Sequence, residues 1–171
     1  MADIKDPENT LVLETTKGEV MIGMRPDLAP GHVARIKELA REGFYDGVPF
    51  HRVIEGFMAQ TGDVEFGRHG GSLTMRAGQG GSDMPDLKAE FSDISFEKGV
   101  VGMARSQSPD SANSQFFIMF APAPHLNGQY TVVGKVVAGQ DVVDAIKKGD
   151  QARNGAVAGP DYMVKVRRKA E

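Results

Sequence analysis

Phe50-His51-Arg52-Val53-Ile54-Glu55-Gly56-Phe57-Met58-Ala59-Gln60-Thr61-Gly62-Asp63 is the stretch on which the fold of this chain turns. Its apolar residues come in short pieces broken at Glu55-Gly56, so it reads as two strand segments joined by a turn. Period two over the first piece sets Phe50, Arg52 and Ile54 on one side and His51 and Val53 on the other. A guanidinium on the same side as two large apolar groups is unusual. Periodicity alone favours an arginine that meets a carboxylate at the rim of the core, or snorkels past it, over one held there for chemistry.

The texture continues outward. Thr10–Thr15 and Glu19–Met24 read as strands around a Lys17-Gly18 hairpin turn. Gly99–Arg105, Ser114–Met119, Tyr130–Val137 and Tyr162–Val166 read as further strands. Two segments change to a helical period. In Gly31–Glu42, Val33, Ile36, Leu39 and Ala40 share a face, Arg35, Lys37, Glu38 and Arg41 fall mostly elsewhere, and Gly43 closes the helix. In Gly139–Lys148, Val142, Val143 and Ile146 form the apolar side. The count is about eight short strands with turns between them, the pattern of a sandwich or a closed barrel. Seven of the twenty positions from Gly62 to Gly81 are glycine, a loop long enough to be packed or functional. It lacks the Gly-Lys-Ser/Thr of a phosphate loop and the spacing of a dinucleotide fingerprint.

Composition narrows the chemistry. The 171 residues suit one domain, and 21 glycines favour turn-rich β structure over a helical bundle. Lys and Arg number 20 against 23 Asp and Glu, a net charge of −3, which is the wrong sign for binding a nucleic-acid backbone. The absence of cysteine excludes disulfides, thiolate nucleophiles and iron–sulfur clusters. The four histidines, His32, His51, His69 and His125, show no helical ligand spacing, so no metal is expected. There is no Gly-x-Ser-x-Gly elbow, and Asp83, Asp86, Glu90 and Asp93 are spaced like a solvated loop. No apolar run approaches the ~18 residues of a membrane span. The first residues lack a basic segment followed by an apolar core, which makes a cytoplasmic location the expectation.

Phe-His-Arg-Val-Ile-x-Gly-Phe-Met-x-Gln-x-Gly-Asp, with Ser114-Gln115-Phe116-Phe117-Ile118 about fifty residues later, resembles the cyclophilin family of peptidyl-prolyl cis-trans isomerases. Gly102-Met103-Ala104, the Leu126-Asn127-Gly128 turn and Val133-Gly134-Lys135-Val136 extend the resemblance from Thr10 to Arg168. Residues 1–9 are then expected as a flexible N-terminal segment and 169–171 as a tail. The resemblance implies a mainly β fold, a closed eight-stranded antiparallel β-barrel capped by two α-helices, in the compact form of bacterial members. It implies a monomer that speeds rotation of X-Pro bonds in peptides and unfolded protein clients, assisting folding, with no cofactor, nucleic acid or membrane involved. A proline-peptide binding module or holdase-like chaperone is the competing use of such a site.

By the same resemblance Arg52 takes the position of the catalytic arginine, with Gln60 beside it to orient the guanidinium or hold a substrate carbonyl. Phe57, Met58, Phe117 and Leu126 match the proline pocket, and Ala104 and Gln115 match substrate contacts next to it. On the residues alone either Phe116 or Phe117 suits the pocket; the resemblance selects Phe117. His51 borders the site. Arg105 stands where the family often has an asparagine whose backbone pairs with substrate, and it adds a charge. His125 replaces the tryptophan of many eukaryotic members, which implies weakened binding of cyclosporin-like ligands with isomerase activity retained. Tyr130 replaces the usual pocket histidine and lines the cup. The glycine-rich loop borders a secondary pocket, for which Gln79, Gly80 and Ser82 are the candidates.

Overall fold

A computed structural model describes residues 6–65 and 80–170 of the chain. Nine strands form one sheet: β1 (Thr10–Thr15), β2 (Gly18–Met24), β3 (Val48–Pro49), β4 (Arg52–Ile54), β5 (Met58–Thr61), β6 (Val100–Met103), β7 (Phe116–Met119), β8 (Val132–Ala138) and β9 (Tyr162–Arg168). Their order is β3-β9-β1-β2-β8-β6-β7-β5-β4, and every pairing is antiparallel. Two α-helices accompany the sheet, α1 (Pro30–Arg41) and α2 (Gln140–Ala145). Among the described residues no helix is long and apolar enough to cross a membrane.

The ends of the sheet force it to curl. Nine strands spaced ~4.8 Å apart and laid flat would separate β3 from β4 by ~38 Å. Only Phe50 and His51 lie between Pro49 and Arg52, and that three-residue step reaches at most ~11 Å. The sheet therefore bends until its ends meet. It does not close as the expected eight-stranded barrel, because no ladder joins β3 to β4. The loop between α2 and β9 covers the outer edge of β4 instead. Val53 donates its N–H to Gly155 O at 2.8 Å, and Val53 O accepts from Gly149 N at 2.8 Å.

The break at Phe50-His51 also changes the expected alternation. Phe50 and Val53 turn together into the larger apolar cluster, while Arg52 and Ile54 face the opposite way. What reads as one strand is two short ones. Pro49, which has no N–H to give, sits where an edge strand tolerates it.

The larger cluster joins one face of the sheet to both helices through Val33, Ile36, Leu39 and Val143. Helix α1 begins with Pro30 at its first position, and the Glu90 carboxylate caps it from a distant loop by accepting Gly31 N at 3.2 Å and His32 N at 2.9 Å. It ends at Gly43, φ 76°, with Gly43 N on Ala40 O and Phe44 N on Leu39 O, a Schellman closure. Arg35 departs from the expected polar face. It is buried and donates to the carbonyls of Asn113 and Pro85, tying α1 to the loops before β7 and β6. Helix α2 is shorter than its apolar pattern suggests. Past Ile146 the backbone finds other partners, Lys147 N on Asp161 Oδ2 and Gly149 N on Val53 O, and leaves the helical path.

A smaller cluster holds Met58, Phe96, Val100, Phe117, Met119, Ala123, Leu126 and Val132. Strand β7 separates the two clusters by its period of two: Phe116 and Ile118 enter the larger one, Phe117 and Met119 the smaller.

Candidate active site

Strand register assembles the site. Arg52 is paired with Gln60, Gln60 with Phe117, and Phe117 with Gly102, so one row crosses β4, β5, β7 and β6. Side chains in such a row share a face. The next row, Ile54, Met58 and Met119, lies beside it. Gly102 supplies no side chain, and this decides the local packing. A Cβ there would lie 2.7 Å from Phe96 and 2.8 Å from Phe117, whose rings stack at 5.8 Å. Tyr130 meets Phe117 edge-on at 5.7 Å.

These rows line a cleft of about 450 Å³. Its apolar wall is Phe57, Met58, Phe117 and Leu126, with Tyr130 and Ala104 alongside; its polar wall is His51, Arg52, Gln60 and Arg105. Ten of the twelve residues expected at the site thus meet in one cavity. Gln115 lines an adjoining cavity of about 360 Å³ together with Gly80 and Ser82, as expected of a secondary pocket, while Gln79 lies outside the described residues. His125 does not line the cleft. Its ring is exposed and leans on Phe57, centroids 5.9 Å apart.

The guanidinium of Arg52 is held from two sides. Nη1 donates to Gln60 Oε1 at 3.1 Å, Nε to Asn154 O at 3.0 Å and Nη2 to Asn154 Oδ1 at 3.1 Å. Gln60 Nε2 in turn donates to Gln115 Oε1 at 2.8 Å, and Gln115 Nε2 to Gly80 O at 2.9 Å. Because Arg52 offers only donors, each amide in this chain has one orientation that satisfies it. Every acceptor of Arg52 among the described residues is neutral, so none of them cancels its charge. Partial burial lowers its pKa, which leaves an arginine protonated at neutral pH all the same.

His51 is the titratable member of the polar wall that stays uncharged at neutral pH. Burial drives its pKa down to about 4, with Asp63 opposing and the Arg52 charge adding to the shift. Its ring nitrogens have no hydrogen-bond partner among the described residues. Arg105 folds over Tyr130, 4.6 Å from the ring centroid, and donates to the carbonyls of Gln129, Ser106 and Gln107.

Sequence reading missed the third wall. Arg153, Asn154 and Ala156 come from the loop before β9. Asn154-Gly155 is recognisable as a turn, and Asn154 does adopt a left-handed conformation, φ 58°. Nothing in a turn signal says that the turn closes on Arg52. Gly155, φ 83°, lets it do so: a Cβ there would lie 2.6 Å from Ile54 Cγ1 and 3.3 Å from Arg52 Cγ.

The architecture matches solved cyclophilins. The crystal structure of cyclophilin AquaCyp293 from Hirschia baltica superposes with a TM-score of 0.79 at 28% identity, over 95% of this chain and 74% of that one. A Cryptosporidium parvum cyclophilin, solved in the presence of the dipeptide Ala-Pro, shares the fold with a TM-score of 0.79 at 22% identity, over 93% of this chain and 98% of that one. The fold is thus a cyclophilin fold. The family model described as cyclophilin type peptidyl-prolyl cis-trans isomerase/CLD matches residues 10–168. A probable peptidyl-prolyl cis-trans isomerase of Brucella suis is 62% identical over 171 residues, 99% of this chain and 87% of that protein. Peptidyl-prolyl cis-trans isomerase B of Bacillus subtilis is 41% identical over 135 residues, 78% of this chain and 87% of that protein. The chain belongs to the cyclophilin-type peptidyl-prolyl cis-trans isomerases.

Proposed function

We propose that Arg52 and the cup of Phe57, Met58, Phe117 and Leu126 carry the isomerisation of X-Pro bonds in peptides and unfolded protein segments. The observation behind this reading is the Arg52 guanidinium, fixed by Gln60 and Asn154 at the rim of an apolar cup. Three of its five N–H donors are occupied, which leaves two for a substrate.

The chemistry asked of these groups is small. Amide resonance sets a rotational barrier of ~18–20 kcal/mol. At the twisted transition state the resonance is lost, and the proline nitrogen becomes pyramidal with a free lone pair. A donor aimed at that lone pair binds the twisted state better than either planar isomer, which is the condition for catalysis. The apolar cup grips the pyrrolidine ring while the chain on the other side of the bond rotates, and it keeps water away from the cation. A thousandfold gain needs only about 4 kcal/mol. No proton is transferred, so a neutral His51 is compatible with the reaction.

Gln60 acts as the positioning group for Arg52, since its oxygen accepts from the guanidinium while its nitrogen is anchored on Gln115. The Arg105 backbone N–H and C=O make no hydrogen bond among the described residues and suit pairing with an extended substrate. The Ala-Pro dipeptide in the Cryptosporidium cyclophilin study points to the same class of ligand. With His125 outside the cleft, cyclosporin binds more weakly than to tryptophan-bearing relatives; a titration giving equal affinity overturns that expectation.

The test is cis-trans exchange of an X-Pro peptide, followed by NMR, on wild type, Arg52→Ala and Arg52→Lys. Loss of the aimed donor lowers turnover by about 10²–10³-fold in Arg52→Ala with the fold intact. Arg52→Lys, a mobile point charge without the fork, recovers little of it. Unchanged turnover in Arg52→Ala ends this reading.

A further inference from the structure

Among the described residues, every charged side chain that lines the cleft is an arginine. Arg52, Arg105 and Arg153 face it, and no carboxylate among the described residues does. This inverts the charge of the chain as a whole, which is −3. The partners of the two inner guanidiniums are neutral. Arg52 meets amide and carbonyl oxygens, and Arg105 meets three backbone carbonyls and a phenol ring. Arg153 has Asp150 at 3.8 Å, but its side chain is 80% exposed and the contact is screened by water. The other acidic groups nearby lie elsewhere: Asp63 is buried and acts on His51, and Asp86 lines the second cavity, where its Oδ1 accepts from Asn113.

A concave site with apolar walls concentrates the field of uncompensated charges. Arg105 is also rigid, since its four hydrogen bonds and the Tyr130 ring fix the plane of the guanidinium before any ligand arrives. We infer that the cleft selects X-Pro segments carrying a carboxylate next to the proline, with Arg105 and Arg153 as the residues that read it. This inference rests on the reading of the cleft as the isomerase site and names its substrate class. A basic neighbour meets three like charges at the same place and is disfavoured.

The experiment uses the full chain and two peptide series, Xaa-Pro and Pro-Xaa, with Glu, Gln or Lys as Xaa. Binding is measured by titration and kcat/KM by NMR exchange, at low salt and at ~0.5 M salt, where charges more than a few ångströms apart are screened. In at least one series Glu exceeds Lys by about tenfold at low salt, with the difference in KM and largely lost at high salt. Arg105→Gln combined with Arg153→Gln brings the three peptides together, while Arg105→Lys keeps the preference. The salt series on wild type needs no variant, so a folding defect in the double substitution leaves the question decided. Equal handling of Glu, Gln and Lys, or a preference that survives the double substitution, overturns the inference. If wild-type turnover is equal across the peptides but still requires Arg52, charge selection fails and the site reading stands. Turnover that is indifferent to Arg52 removes the site reading itself.

Discussion

Phe116 packs edge-on against Tyr45 at 5.6 Å and is 1% exposed, whereas Phe117 stacks on Phe96 at 5.8 Å and is 5% exposed. The two are the same residue type, adjacent on β7 and almost equally buried. They differ in what lies beyond them. Phe116 faces a cluster that α1 and α2 seal; Phe117 belongs to the smaller cluster and itself lines the cleft. Burial therefore does not tell a phenylalanine of the sealed core from one that lines the cleft. The row does: Phe117 is in register with Gln60 and, through it, with Arg52, while Phe116 is in register with Thr61 and Met103.

Substitution of each ring is the sharpest way to break that comparison. Phe116→Ala costs about 3–5 kcal/mol in denaturant unfolding, the usual toll of emptying a sealed aromatic site, while the folded fraction keeps kcat/KM within about twofold of wild type. A folded Phe116→Ala protein without activity would show that the two faces are not separable. Phe117→Leu keeps most of the apolar volume but reshapes the cup; KM rises about tenfold and unfolding free energy falls by only ~1 kcal/mol. Equal and opposite results, stability lost and KM kept, would move Phe117 to the structural side.

The cleft side also answers to acid. His51 is held near pKa 4 in the folded chain against 6.5 in the unfolded one. Between those values the unfolded chain takes up a proton that the folded chain refuses, so stability falls as pH is lowered from 6.5 to 4, by up to about 3 kcal/mol. Thermal unfolding across this window is flatter in His51→Gln. Glu90 contributes separately. Burial raises its carboxyl pKa, but hydrogen bonds from His32 and two backbone amides overcome that and hold it below the ordinary value. Its stabilisation is lost as pH falls through the carboxylate range, in wild type and His51→Gln alike.

The smallest expected effect belongs to the positioning amide. Gln60→Ala frees Arg52 on one side while Asn154 still holds the other, and kcat drops about three- to tenfold with KM unchanged. A change confined to KM would assign Gln60 to substrate instead.

Local pattern carried the reading furthest where each element's environment is uniform along its length. The β1–β2 hairpin, β7, β8, β9 and α1 follow from short β-rich apolar runs, a Lys-Gly turn and one apolar helical face. It failed where distant partners intervene. The change of direction at Phe50-His51 depends on β9 lying beside β3, and the early end of α2 depends on Asp161 and Val53. Arg35 reads as a surface residue because its carbonyl partners are fifty and more positions away. At the site, residue types and order led through the family resemblance to Arg52, Phe57, Met58, Phe117 and Leu126, which line one cleft. Asn154 stayed hidden because its role is set by 102 residues of separation from Arg52 and by no periodic signal.

Strand β4 is three residues long and would present an open flank to any extended chain nearby. The 149–157 loop occupies that flank at both polar groups of Val53, and the same loop carries Asn154 to Arg52. One piece of chain thus steadies the Arg52 guanidinium and occupies the edge at which its strand would otherwise template β-structure. On the proposed reading of the site, a peptide is turned at Arg52 without being annexed to the strand beneath it.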